Sequence, residues 1–150
     1  MNSYPPQSPT TSGAIGSIRA PNDACQETRP GVVNGPEGDA IRRLAHELAR
    51  ELAAKSADDV RLMEIAPISP IADYFVLATA NTRLHMRGLV DTCRDLAPKG
   101  VHPRVEGRAD DGWVLVDCGD LIVHLFLADP RRYYGIDELW GDARTLLHLV

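Results

Sequence analysis

Three carboxylates and a histidine have the spacing of a possible reaction centre. Asp117, Asp120 and His124 fall within eight residues of one another, and Asp73 heads a separate apolar run. Carboxylates paired on a hairpin can hold Mg²⁺ and support nucleotidyl or phosphoryl transfer. A triphosphate also needs a glycine-rich cradle or a lysine, but the strand-to-helix turn here reads Thr79-Ala80-Asn81-Thr82. Asp120 has a plainer role in turn chemistry, with Gly119 supplying the unusual backbone angles. No Ser or Cys has the spacing of an activated nucleophile. The enzymatic alternative is therefore a metal-dependent nucleotidyltransferase or phosphoesterase using Asp117 and Asp120.

A second chemistry is recognition. Trp113, Tyr133, Tyr134 and Trp140 gather in under thirty positions, interleaved with Glu106, Asp117, Asp120, Asp137, Glu138 and Asp142. Tyr and Trp bury large areas while keeping a polar handle, and they dominate interface hot spots. Aromatic anchors among acids suit a basic protein partner. The formal net charge of −5 argues against a protein that grips bare RNA through its phosphates, and no sequence-specific nucleic-acid contact is expected.

These residues need a scaffold, and its centre is a hairpin. The runs Trp113–Asp117 and Leu121–Leu127 flank a Gly119-Asp120 turn. A two-residue loop pairs Asp117 with Ile122, Leu115 with His124 and Trp113 with Phe126. One face then carries Trp113, Asp117 and His124, and the other carries Val114, Val116, Val123 and Leu125. The apolar face calls for helices. On the mixed face Asp117 lies diagonal to His124, either as a structural hydrogen-bond acceptor or as part of a binding feature. The second run is apolar almost throughout, as in a central strand covered on both faces.

Upstream, Ile41, Leu44, Ala45, Leu48, Leu52 and Ala53 recur at helical spacing after Asp39, a suitable N-cap. Strands follow at Val60 to Ile65 and Asp73 to Thr79. Asn81 or Thr82 can cap a helix carrying Leu84, Met86, Leu89, Val90, Cys93 and Leu96, with Cys93 a small buried hydrophobe. Val101 to Gly107 reads as an edge strand because it contains Pro103. A helical turn bears Tyr133 and Tyr134, and a last helix starts near Asp137. The order α-β-β-α-β-β-β-α implies the α/β (α+β) class, with a single mixed five-stranded sheet flanked by helices.

Residues 39–150 form this domain, and residues 1–38, with six of the eleven prolines, form a Pro/Gly/Ser-rich tail with little to bury. The chain is 44% hydrophobic and 25% charged, a composition that sustains a two- or three-layer core. Cys25, Cys93 and Cys118 are odd in number and lack CxxC spacing, so neither a disulfide framework nor a metal site is indicated. No apolar run reaches membrane-spanning length, and the N-terminus lacks signal-peptide order, so a cytoplasmic protein with reduced thiols is expected.

Several segments in order carry a family resemblance across roughly residues 39–143. They are Trp113-x-x-x-Asp117-x-Gly119-Asp120-x-x-Val123-His124, Arg131-x-Tyr133-Tyr134, Leu139-Trp140-Gly141-Asp142-Ala143, the run Ser69 to Val76, and Arg104-Val105-Glu106-Gly107. Together they resemble the ribosomal silencing factors, the RsfS or Iojap family. The resemblance implies a non-catalytic protein of nucleotidyltransferase-like topology without cofactor. It would bind the large ribosomal subunit through that subunit's ribosomal protein fourteen, sterically block joining of the small subunit, and form a homodimer when free. On that reading Trp113, Asp117, Asp120, Tyr133, Leu139 and Trp140 meet the partner, while Asp73 and His124 brace the surface. The chain departs from the family pattern at Ala80 and Leu84, where a Gly and an Arg are usual.

Overall fold

A computed structural model describes residues 36–150. The expected tail lies outside these residues except for its last three, which open helix α1 (Pro36–Ala54). The helix starts ahead of Asp39 because a proline fits the first turn, where its missing N–H has no partner to lose. Strands β1 (Asp58–Glu64) and β2 (Tyr74–Ala80) follow, then helix α2 (Arg83–Leu96). Thr82 caps α2, its hydroxyl accepting from the His85 N–H at 3.0 Å.

Strand β3 (Arg104–Arg108) begins just after Pro103. A 3₁₀ turn, Ala109–Asp111, leads into the hairpin of β4 (Trp113–Asp117) and β5 (Leu121–Leu127). The hairpin register has Trp113 opposite Phe126, Leu115 opposite His124 and Asp117 opposite Ile122, as the two-residue loop requires. Gly119, at φ +92°, makes the turn.

The sheet runs β3-β4-β5-β2-β1-β6. The β2–β5 pair is parallel and the other pairs are antiparallel. Every residue of β2 is buried, and β5 is buried up to Leu127, so these two strands form the covered centre. Strand β3 forms one edge, in keeping with the nearby proline. The α/β class and the single mixed sheet flanked by helices are as expected, but the described residues supply six strands to it. The sixth, β6 (Arg144–Leu149), pairs with β1 where the sequence reading had run on from a last helix. That helix shrinks to α4 (Ile136–Leu139), which follows α3 (Ala128–Tyr134) across Gly135 at φ +59°. Gly135 and Gly141 bracket α4 and leave it one turn long.

Period-two alternation divides the core. Val60, Leu62, Val76, Ala78, Val114, Val116, Val123 and Leu125 meet Leu48, Leu52, Met86 and Leu89 of α1 and α2 on one face. Met63, Ile65, Phe75, Leu77, Ile122 and Phe126 meet Ile136, Trp140 and Ala143 on the other. The hairpin's apolar face thus receives the two long helices, and its mixed face receives the α3–α4 segment.

Candidate functional site

The mixed face is a line of rings. Tyr133 contacts Tyr134 (centroids 5.1 Å apart), Tyr134 contacts Trp113 (4.7 Å), and Trp113 stacks on Phe126 (5.0 Å). His124 meets Phe75 edge-on at 4.7 Å, and Phe75 meets Trp140 at 5.2 Å. Such offset and edge contacts add to plain area burial. At the ends of this line the side chains reach solvent: Tyr133 is 82% exposed, and Leu139, beside Trp140, is 72% exposed. Trp113 and Trp140 are half-buried and belong largely to the packing beneath.

His124 sits in the middle, 4% exposed. Its Nδ1 lies 3.4 Å from Trp113 Nε1, the indole being the donor, so Nε2 carries the ring proton and has no hydrogen-bond partner among the described residues. Burial drives its pKa down to about 4, against a weaker upward pull from the Asp137 charge. The imidazole therefore stays neutral near pH 7.

Of the two readings of the Asp117–His124 diagonal, the hydrogen bond is not made. Asp117 Oδ1 accepts the Gly119 N–H at 2.8 Å, closing the turn locally. Asp120 contributes its backbone: its carbonyl accepts the N–H groups of Asp73 (2.8 Å) and Tyr74 (3.1 Å). The carbonyl of Asp73, a residue 3% exposed, accepts in turn from Ile65 (2.8 Å) and Ala66 (3.2 Å). Through these backbone bonds Asp73 links the hairpin turn to the loop after β1. Among the described residues, no three His, Cys, Asp or Glu side chains converge in a way that could hold a metal ion.

The six residues singled out for contact do not form one cluster. Trp113 and Asp117 stand at opposite ends of β4, four residues and about 13 Å apart. Tyr133 lies at the Trp113 end. Trp140 lies toward the Asp117 end, because Phe75 beneath it pairs in register with Ile122. The α3–α4 segment connects the two ends and carries both exposed anchors. Asp129, Glu138 and Asp142 along it are exposed acids.

Sequence reasoning passed over the residue that holds this segment. Arg131, 6% exposed, donates from Nε and Nη2 to the two oxygens of Asp137, each at 2.9 Å. Its Nη1 donates to the Asp59 carbonyl at 2.7 Å and the Thr79 hydroxyl at 2.8 Å. The Asp59 carboxylate is 3.5 Å from Nη2, 2.5 Å from His148 Nε2 and 3.6 Å from Arg61 Nε, and Arg61 also approaches Asp137 at 3.7 Å. Partial burial works against ionising Asp59 and Asp137. The bonds from His148 and Arg131 and the arginine charges outweigh it, so both carboxyls lie below the ordinary aspartate range. The signal was present in sequence: an Arg six residues before an Asp, across a glycine.

Residues 38–149 match the family described as "Ribosomal silencing factor during starvation". Over 91 residues the chain is 37% identical to the ribosomal silencing factor RsfS of Bacillus subtilis, spanning 59% of this chain and 77% of that protein. A mouse protein named for mitochondrial assembly of the ribosomal large subunit is 26% identical over 98 residues, which cover 59% of this chain and 41% of the mouse protein. A crystal structure of a protein from Chromobacterium violaceum superposes with a TM-score of 0.60 at 27% identity, covering 75% of this chain and 92% of that one.

Proposed function

The chain belongs to the ribosomal silencing factor family, and from that footing we propose that it represses translation by docking on the large ribosomal subunit. In this reading it binds ribosomal protein fourteen of that subunit and sterically keeps the small subunit from joining. It acts in the cytoplasm without catalysis, cofactor or metal, and pairs with a second copy of itself when free. The observation that carries the proposal is the α3–α4 segment, where Tyr133 and Leu139 project into solvent beside the half-buried Trp113 and Trp140. Exposed apolar anchors bordered by Glu138 and Asp142 fit a basic protein surface. The overall charge of −5 favours the same partner class over bare RNA.

Sedimentation with separated ribosomal subunits tests the proposal. The protein should travel with the large subunit alone and, once bound, prevent small-subunit joining. Tyr133→Ala and Leu139→Ala should each weaken retention by up to about thirtyfold, the cost of losing a hot-spot anchor. Their exposure predicts stability within about 0.5 kcal/mol of the parent protein. Retention by the small subunit, or unhindered joining in the presence of saturating protein, would reject the mechanism.

A further inference from the structure

The two exposed anchors lie symmetrically about a buried fork. Tyr133 is two residues beyond Arg131 on α3, and Leu139 is two residues beyond Asp137 on α4, with the Gly135 corner between them. The bidentate Arg131–Asp137 pair spans that corner. Arg131 then ties the closed corner to the sheet at two more points, the Thr79 hydroxyl on β2 and the Asp59 carbonyl on β1. That second point is built for the purpose. The register of β1 slips between Asp58 and Arg61, and Asp59 sits at φ +49°, a left-handed conformation uncommon for a non-glycine residue but better tolerated by Asp than by most. Within this bulge the Asp59 carbonyl accepts from the guanidinium at 2.7 Å.

We propose that Arg131 is a positioning residue for partner docking: its guanidinium fixes Tyr133 and Leu139 relative to each other and to the sheet before the partner arrives. This rests on the reading of the α3–α4 segment as the docking surface. A surface ordered in advance loses less conformational freedom on binding, so the fork's contribution appears as affinity. Only arginine suits the position. Its planar fork satisfies Asp137 with two nitrogens and leaves the third for Thr79 and Asp59, whereas a lysine ammonium is a single point that cannot span all three.

The test compares Arg131→Lys, Asp137→Asn and Leu139→Ala in the full chain, at a temperature where melting curves show each fully folded. Both fork variants should bind the large subunit about tenfold more weakly or worse. Amide exchange should quicken about tenfold across residues 128–143 and stay unchanged in Tyr74–Ala80. The double variant should lose little more than either single one, because both break the same bond. A folded fork variant that binds like the parent overturns the inference, as does weakened binding with unchanged exchange across 128–143. Should Arg131→Lys fail to fold, the half-buried Asp137→Asn decides alone. Leu139→Ala separates the two readings: parental binding there removes the docking surface itself, while weakened binding there beside parental fork variants removes only the positioning role.

Discussion

Because the native His124 imidazole takes up a proton only near pH 4 while an unfolded histidine does so near 6.5, acid favours the unfolded chain between those values. In that window the unfolded state binds more protons, so stability is full above about pH 6.5 and falls as pH drops, by up to about 1.4 kcal/mol per unit. Urea unfolding at pH 7, 6 and 5 should show this slope, and His124→Phe should flatten it. His46 bends the curve the same way through partial burial and the charges of Arg50 and Arg42, so a small slope should survive. An undiminished slope in His124→Phe would show that the imidazole is not the group responsible. At this scale, residue type and spacing revealed the ring-rich face and the buried Cys93. They misplaced the hydrogen bonds, because short-range geometry decides partners: Asp117 turned to the nearest N–H, and His124 to the indole across the hairpin. Trp140 and Leu139 looked alike as anchors. Trp140, just past the end of α4, packs against Phe75 while Leu139 faces solvent, so Trp140→Ala is expected to act first as a folding lesion, seen as a lowered melting temperature.

The hairpin register was legible because a glycine turn between β-branched runs leaves few alternatives. Strand β6 was not. Its Leu146-Leu147 pair breaks period-two alternation, and the register with β1 shifts there: Leu62 faces Leu147 and Met63 faces Thr145, so Leu146 is skipped as a bulge in β6. Glycines offer a contrast that tests how elements are joined. Gly112, at φ +81°, enters β4 with Pro130 of α3 so close that an added Cβ would stand 2.6 Å from its Cγ. Gly112→Ala should therefore cost about 1–3 kcal/mol and loosen α3 as well as the hairpin, measurable by melting and amide exchange. Gly88, inside α2, has nothing within 4 Å of an added Cβ. Gly88→Ala should stabilise the protein by about 0.5–1 kcal/mol, because alanine is the better helix former. If the two substitutions moved the melting point in the same direction, the local geometry described here would be wrong.

For the molecule as a whole, composition set the expected domain apart from the expected tail, and the family match runs over residues 38–149. Removing residues 1–35 should change neither the melting temperature nor subunit retention, since that stretch offers little to bury. The proposed pairing of free protein calls for twice the chain mass in light scattering, and a monomer at high concentration would refute it. Strand β6 has one more consequence. Val60 and Leu62 are fully buried in β1, which has β2 on one side and β6 on the other. A chain cut after Ala143 would keep every residue of the docking surface and still present the whole hydrogen-bonding edge of β1, with Val60, Leu62 and Met63 in it, to solvent. Such an edge templates strand addition from other molecules. The cut protein should turn cloudy and bind amyloid dyes on standing, although nothing in its recognition surface has been touched.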